Sequence, residues 1–104
     1  MLARYTYLWE FHVAGERREE FENQYGPGGA WVKLFRQSTG YIETLLLRDH
    51  ANDGRYVTVD RWESEAAYRD FRSRFAAEYS ELDERCQHLT NKEMSLGHYA
   101  GILV

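Results

Sequence analysis

The side chains of this sequence best suited to chemistry are polar groups on predicted β-strands. Glu10 and His12 belong to the first strand, Asp60 to the third and His98 to the last. Carboxyl and imidazole groups can accept and donate protons in a reaction. If the faces that carry them turn towards the helices, these groups line a cavity between the sheet and the helices.

Two aromatic residues share a face of the third strand with Asp60. Tyr56 and Trp62 can hold a planar ligand by stacking and by hydrogen bonding. The alternative is structural: Asp60 pairs with a nearby arginine, His12 faces solvent and the aromatic residues form the core. Residues of both faces of the first strand mix apolar and polar types, so the sequence leaves open which face lines the cavity.

Several kinds of catalytic site have no support in the sequence. The four histidines show neither His-x-His nor HExxH spacing, and with one cysteine they form no zinc template. Glu84 and His88 stand four residues apart, as expected of a surface pair on a helix. Cys86 lies on an apolar helix stripe, and no serine has the setting of a nucleophile elbow. We therefore expect no metal and no cofactor.

Length and charge limit the class of protein. The chain has 104 residues and a net charge of −4, which indicates a single domain over residues 1–104 and argues against binding to nucleic acid. The opening residues lack the pattern of a secretion signal, and no apolar run is long enough to span a membrane. A single cysteine excludes an internal disulfide. The expected location is the cytoplasm.

Hydrophobic periodicity predicts the elements that position these residues. We expect strands at residues 4–13, 41–48, 55–62 and 92–104, and helices at 16–25, 30–37 and 65–89. Ser64 is the predicted N-cap of the last helix, which is long enough to bend near Ala76 and Ala77. The Leu45-Leu46-Leu47 run predicts a strand buried on both faces. The last strand alternates, with Met94, Leu96, His98, Ala100 and Ile102 on one face and Ser95, Gly97, Tyr99, Gly101 and Leu103 on the other.

This order of elements predicts an α+β fold of the ferredoxin-like, split βαβ kind. A four-stranded antiparallel sheet carries the helices on one face and leaves the other face bare. With eight Tyr, five Phe and three Trp in the chain, that bare face is expected to be apolar. A homodimer joined through the sheet face would cover it.

Three segments resemble the antibiotic biosynthesis monooxygenase-like family of dimeric α+β barrel proteins. They are YLWEFHVAG followed by REEFENQYGPGGAW, YVTVDRW followed by ESEAAYRDF, and the terminal SLGHYAGI. The resemblance covers nearly the whole chain. It implies two sheets that close into a barrel across a dimer, with a cavity in each subunit. Some members of the family oxygenate polycyclic phenols or quinols without metal or flavin, and others degrade haem.

The resemblance also bears on single residues. Trp62 looks like the tryptophan that many members have at the end of the third strand. The resemblance implies that the asparagine and tryptophan positions of the haem-degrading branch correspond here to Leu8 and Phe71, and that the histidine position, near Glu81, is not a histidine. This argues against haem degradation.

A cofactor-free oxygenase needs a base whose action gives a carbanion able to pass one electron to oxygen. His12 and Asp60 are the candidate catalytic bases. The candidate substrate-binding residues are Tyr56, Trp62, Glu10, His98 and Phe71. The expected activity is monooxygenation, or quinol oxidation, of a small aromatic metabolite. The alternatives are a non-catalytic binding or stress-related barrel protein, and a polyketide cyclase-like enzyme that needs no oxygen.

Overall fold

The computed structural model describes residues 4–102 and 104 and contains one sheet with helices on one of its faces. Its elements, in chain order, are β1 (Arg4–His12), α1 (Arg18–Tyr25), α2 (Ala30–Phe35), β2 (Tyr41–Arg48), β3 (Arg55–Trp62), α3 (Glu65–Arg74), α4 (Ala76–Cys86) and β4 (Lys92–Gly101). Short 3-10 turns at Gly15–Arg17 and Gln87–Leu89 precede α1 and follow α4.

The four strands are antiparallel and lie in the order β2-β3-β1-β4. This is the arrangement of the split βαβ plan, and it confirms the predicted α+β, ferredoxin-like fold. Because β1 and β3 are the two central strands, their side chains form the middle of both faces of the sheet. Tyr7 pairs with Asp60 and Trp9 with Thr58, so odd residues of β1 share a face with even residues of β3.

The core lies between that face and the helices. Trp62, Phe21, Phe71 and Leu89 are the largest fully buried side chains. Trp62 contacts Phe71 with ring centroids 5.0 Å apart, which joins β3 to α3. Burial of such rings from water is the main favourable contribution to folding.

The long C-terminal helical segment is interrupted at one residue. Ser64 caps α3, and its hydroxyl accepts a hydrogen bond of 3.1 Å from the Ala67 amide, as predicted. Phe75 then leaves helical geometry, with φ −110° and ψ 27°, and α4 begins at the next residue. The break lies one residue before the predicted bend.

The predicted burial of β2 on both faces is wrong. Leu45 and Leu47 are exposed, because they pair with Val59 and Val57 on the face of the sheet that the helices do not cover. Leu46 pairs with Thr58 on the other face and packs against the core. β2 is an edge strand, so neither face is fully enclosed.

The predicted alternation along the last strand is also wrong. The register shifts between Leu8 and Trp9 of β1, where Gly97 takes a φ of 122°. This bulge puts Met94 opposite Glu10 on the outer face, while His98 pairs with Tyr7 on the helix-facing side. The strand ends at Gly101, before the predicted boundary at Val104, and Leu103 lies outside the described residues, as do residues 1–3.

The predicted helix at 16–25 begins as the 3-10 turn, and the helix at 30–37 ends two residues early at Phe35. In the loop after β2, Gly54 has a φ of 83°, and a Cβ there would lie 2.6 Å from the Val13 carbonyl oxygen. That position therefore requires glycine.

Candidate active site: an aromatic cavity with a buried carboxyl group

A cavity of about 320 Å³ lies between the helix-facing side of the sheet and the helices. The volume is within the range of pockets that bind small molecules. It is lined by Tyr7, Trp9, Phe11, Tyr25, Trp31, Val32, Phe35, Thr44, Thr58, Asp60, Arg72, Tyr79, Asp83 and Glu93. Half of these side chains are aromatic, so the walls favour a flat ligand with an apolar ring system.

The aromatic walls are held by contacts between rings. Tyr7 and Trp9 lie side by side on β1, stacked with centroids 5.5 Å apart and planes 11° from parallel. Across the cavity, Trp31 meets Tyr79 edge-on at 5.1 Å. Elements from the sheet, α2 and α4 thus supply rings in defined orientations.

Asp60, on β3, is the buried carboxyl group of this cavity. It is 9% exposed, and the Thr44 hydroxyl donates a 2.7 Å hydrogen bond to its Oδ1. The Tyr41 hydroxyl lies 2.7 Å from the Thr44 oxygen and must be the donor there, because Thr44 gives its proton to Asp60. The three residues form a hydrogen-bonded chain that leads from the edge strand to the cavity.

Burial raises the pKa of Asp60 to about 6, and the hydrogen bond from Thr44 opposes part of that rise. None of the ion pairs in the described part of the chain includes Asp60. The structural alternative in which an arginine neutralises this carboxylate is therefore wrong. Asp60 changes its charge close to neutral pH, which suits a general base.

The remaining charged residues of the lining are exposed or partly exposed, and we call them the mouth of the cavity. Arg72 on α3 lies over the Tyr79 ring, with the guanidinium carbon 3.9 Å from the ring centroid. Asp83 on α4 and Glu93 on β4 also line the cavity. Burial, followed by the charge of Asp83, raises the pKa of Glu93.

Two of the predicted site residues lie on the wrong side of the sheet. Glu10 and His12 are even residues of β1, so they face away from the helices and do not line the cavity with Asp60. His12 Nε2 lies 2.7 Å from a Glu10 carboxylate oxygen, and Arg55 donates a 2.6 Å hydrogen bond to the other oxygen. Arg55 also donates to Asp49, at 2.9 Å. This cluster pairs its charges on the outer face.

Three other predicted binding residues belong to the core. Trp62 and Phe71 are fully buried and do not line the cavity. Tyr56 is also buried, and its hydroxyl donates a 2.5 Å hydrogen bond to Glu22. Trp62 and Phe71 pack against Phe35 of the cavity wall. The burial of Trp62, Phe71 and Tyr56 matches the structural interpretation of the aromatic residues.

His98 lies next to the cavity wall without lining the cavity. It is exposed on β4, and its ring centroid is 5.9 Å from that of Tyr7. Of the seven predicted residues, the structure brings only Asp60 to the cavity, and His98 stands beside it.

Residues that the sequence analysis did not single out form the rest of the site. Thr44 is one of them, and the signal for it was its place in a strand paired with β3. Tyr79 follows Phe75 by four residues and Phe71 by eight, a helical spacing that puts the three rings on one face and is a signal readable in the sequence. Arg72 gave no signal, because a charged residue on a helix is usually on a solvated face.

Residues 4–102 and 104 include no group of three or more His, Cys, Asp or Glu side chains arranged to hold a metal ion. Within the same residues, no helix combines the length and the apolar character needed to cross a membrane.

Comparison with solved structures finds the same fold at low identity. SnoaB, a cofactor-independent oxygenase from Streptomyces nogalater, matches with a TM-score of 0.71 and 18% identity, over 98% of this chain and 96% of SnoaB. PA3566 from Pseudomonas aeruginosa matches with a TM-score of 0.68 and 16% identity, over 99% of this chain and 98% of its own. A conserved protein from Methanosarcina mazei Go1 matches with a TM-score of 0.71 and 14% identity, over 94% of this chain and 92% of its own.

No curated protein matches the chain. A sequence profile of the family described as antibiotic biosynthesis monooxygenase matches residues 4–79. That region contains β1 to β3, α3 and most of the residues that line the cavity. The match covers well over half of the chain, and the protein therefore belongs to the antibiotic biosynthesis monooxygenase family.

Proposed function

We propose that this protein is a cofactor-independent monooxygenase, or quinol oxidase, that acts on a small aromatic metabolite bound in the cavity. The observation that carries the proposal is Asp60, a buried carboxyl group inside an aromatic cavity, with a pKa raised to about 6. Membership of the family and the fold shared with SnoaB agree with this function.

In the proposed reaction, Asp60 removes a proton from an activated methylene group or a phenol of the substrate. The anion gives one electron to molecular oxygen, and the resulting substrate radical and superoxide combine to a peroxide. Loss of water from the peroxide leaves a carbonyl group. One oxygen atom enters the product and the other leaves as water, so a methylene group and one O₂ give a carbonyl and one H₂O without an external reductant. In the alternative quinol oxidation, two electrons and two protons pass from the quinol to O₂, which gives the quinone and one H₂O₂.

The hydrogen-bonded chain behind Asp60 would set the position of this base. Thr44 occupies Oδ1 and is itself held by Tyr41. A base that is fixed before the substrate arrives loses less entropy in reaching the transition state. Tyr7, Trp9 and Trp31 would hold the planar substrate by stacking.

The test is oxygen uptake by purified, metal-stripped protein with a panel of anthrones and hydroquinones, corrected for autoxidation. Asp60→Asn removes the base, and we expect it to lower the rate at least about a hundredfold, the usual contribution of a general base. His12→Ala is the matched control on the outer face and should keep the wild-type rate. Uptake that survives in Asp60→Asn, or is lost in His12→Ala, would contradict the proposal.

The same buried carboxyl group also supports a second reaction class. An isomerase or cyclase needs proton transfer at a carbon acid and no oxygen. Product that forms under strictly anaerobic conditions and depends on Asp60 would favour this class. Ligand-induced thermal stabilisation without turnover in either condition would favour a binding protein instead.

We further propose that the outer face of the sheet forms a homodimer. Leu45, Leu47, Met94 and Tyr99 are exposed there, and the register places all four on that face. An exposed apolar patch of this kind usually marks an interface, and one shared sheet face gives a two-fold contact.

Light scattering tests the dimer. Wild type should have twice the 12.3 kDa mass of one chain, and Leu47→Glu should lower the mass towards a single chain. Lys33→Glu, on the exposed side of α2, is the control and should stay dimeric. A wild-type mass of one chain at all concentrations would overturn the dimer.

A further inference from the structure

Arg72 is the one lysine or arginine that lines the cavity within the described part of the chain. Its guanidinium stacks on Tyr79, and its Nη1 donates a 2.9 Å hydrogen bond to the Tyr68 hydroxyl. Stacking on one ring and a hydrogen bond to another hold the guanidinium plane in one orientation at the mouth.

The charge of Arg72 has no protein partner among the described residues. Its neighbours on α3 do: Arg69 pairs with Glu65 at 2.7 Å, and Arg74 pairs with Asp70 at 2.9 Å. No described ion pair includes Arg72. A fixed guanidinium with unused N–H groups beside an apolar cavity is a site for an oxyanion, because it can donate two charge-assisted hydrogen bonds.

Two carboxylates, Asp83 and Glu93, also line the cavity, and none of the described ion pairs joins either of them to Arg72. Asp83 lies on α4, four residues after Tyr79, the residue whose ring stacks with Arg72. The groups that act on the pKa of Arg72 are burial, which lowers it, and three tyrosines, which raise it. Among the charged residues of the lining, Arg72 is therefore the cation, and Asp60, Asp83 and Glu93 are the carboxyl groups. A ligand with one negative group is attracted to Arg72 and repelled by the carboxylates.

We propose that the cavity selects planar aromatic ligands that carry a carboxylate, with Arg72 binding the carboxylate at the mouth while the ring extends towards Asp60. This inference rests on the cavity being the substrate site, as proposed above, and it names the class of substrate. It does not depend on oxygen being the second reactant. Arg72 is here a specificity-determining residue.

Calorimetric titration with three ligands that share one ring system tests the proposal. The ligands are 1-naphthoate, the uncharged 1-naphthamide and the cationic 1-naphthylmethylamine. A charge-assisted hydrogen bond at a partly buried site is expected to make naphthoate bind roughly tenfold more tightly than naphthamide. Arg72→Gln should remove this preference, and Asp83→Asn should strengthen the binding of naphthoate.

Two further variants separate binding from folding. Arg74→Gln removes a paired arginine two residues away and should leave the preference unchanged. Arg72→Lys keeps the charge without the planar fork, and it should retain part of the preference even if Arg72→Gln is unstable.

Each outcome of the titration decides the proposal. Equal binding of naphthoate and naphthamide, or tightest binding of the amine, would overturn the role of Arg72 and leave the cavity as the ligand site. If none of the three ligands binds, both the inference and the cavity assignment are overturned. Because binding is measured without turnover, a failure of the oxygenase proposal would show separately, in the oxygen-uptake experiment.

Discussion

The pKa values of two carboxyl groups on opposite faces of the sheet are shifted in opposite directions. On the outer face, hydrogen bonds from Arg55 and then His12 lower the pKa of Glu10. On the helix-facing side, Asp60 has Thr44 as its hydrogen-bond partner, and burial raises its pKa to about 6. A carboxylate with charged partners contributes to structure, whereas a buried one without them is available for chemistry.

The difference shows that the pairing of β1 decides which of its side chains face the cavity. Glu10 and His12 have the residue types of a catalytic pair. Because they are even residues of β1, they lie on the outer face of the sheet. Asp60 has an ordinary residue type, and its neighbours make it unusual. The face of the sheet on which a residue lies, more than its residue type, therefore separates Asp60 from Glu10 and His12.

The largest expected difference between the faces is in packing. Phe71→Ala empties a fully buried position, and we expect it to lower the free energy of unfolding by about 3–5 kcal/mol. Tyr99→Ala truncates an aromatic ring that is 53% exposed on the outer face, and about 1 kcal/mol or less is expected. Urea unfolding measures both.

Comparable losses for the two variants would contradict this assignment of core and surface. A loss for Tyr99→Ala that varies with protein concentration would instead report dissociation of the proposed dimer, since assembly stabilises the folded chain by mass action.

The second prediction concerns the pH dependence given by Asp60. Its pKa rises from 3.8 in the unfolded chain to about 6 in the folded one, so the folded state holds the proton more tightly. Wild type therefore loses stability as the pH rises from about 4 to about 6, by about 3 kcal/mol. Asp60→Asn lacks this loss. Its free energy of unfolding relative to that of wild type should therefore rise by about 3 kcal/mol between pH 4 and pH 8.

Unfolding in urea at several pH values checks this. Thr44→Ser, which retains the donor to Asp60, serves as the control and should follow the wild-type pH profile. Parallel profiles for wild type and Asp60→Asn would show that Asp60 titrates normally in the folded chain.

The third and smallest effect has the opposite sign and comes from the outer face. Because its partners lower the pKa of Glu10, this group stabilises the fold above pH 4.5 and loses that contribution as the pH falls through its folded pKa. Glu10→Gln should therefore be less stable than wild type at neutral pH and approach it in acid. Thermal unfolding at pH 3 and pH 7 measures the difference in stability between wild type and Glu10→Gln. A difference that is larger at pH 3 than at pH 7 would contradict the prediction.

The sequence predicted the element types well where a strong pattern covered many residues. The stripe of Tyr68, Phe71, Phe75 and Tyr79 at spacings of three and four marked the long helical segment. The Ser64 cap set its start. The alternation of Tyr56, Thr58, Asp60 and Trp62 marked β3, and these four residues are buried on one face.

The arrangement of the site was less predictable, because it depends on the pairing of strands distant in sequence. Both sets of β1 residues mix polar and aromatic types, and the pairing of Tyr7 with Asp60 decides which set faces the helices. At Gly97 a bulge reverses the alternation, so the face of Met94 differs from that of His98. Arg72 becomes a cavity residue through its contact with Tyr79, which follows it by seven positions on another helix.

The measurement that tests the contrast between the two faces most directly is an NMR titration of the side-chain carboxyl carbons, with Asp60→Asn and Glu10→Gln used to assign the two signals. The account predicts that Asp60 titrates near pH 6 and that Glu10 titrates below 4.5. An Asp60 signal that titrates near 3.8, the ordinary value for aspartate, would contradict its assignment as the base of the cavity.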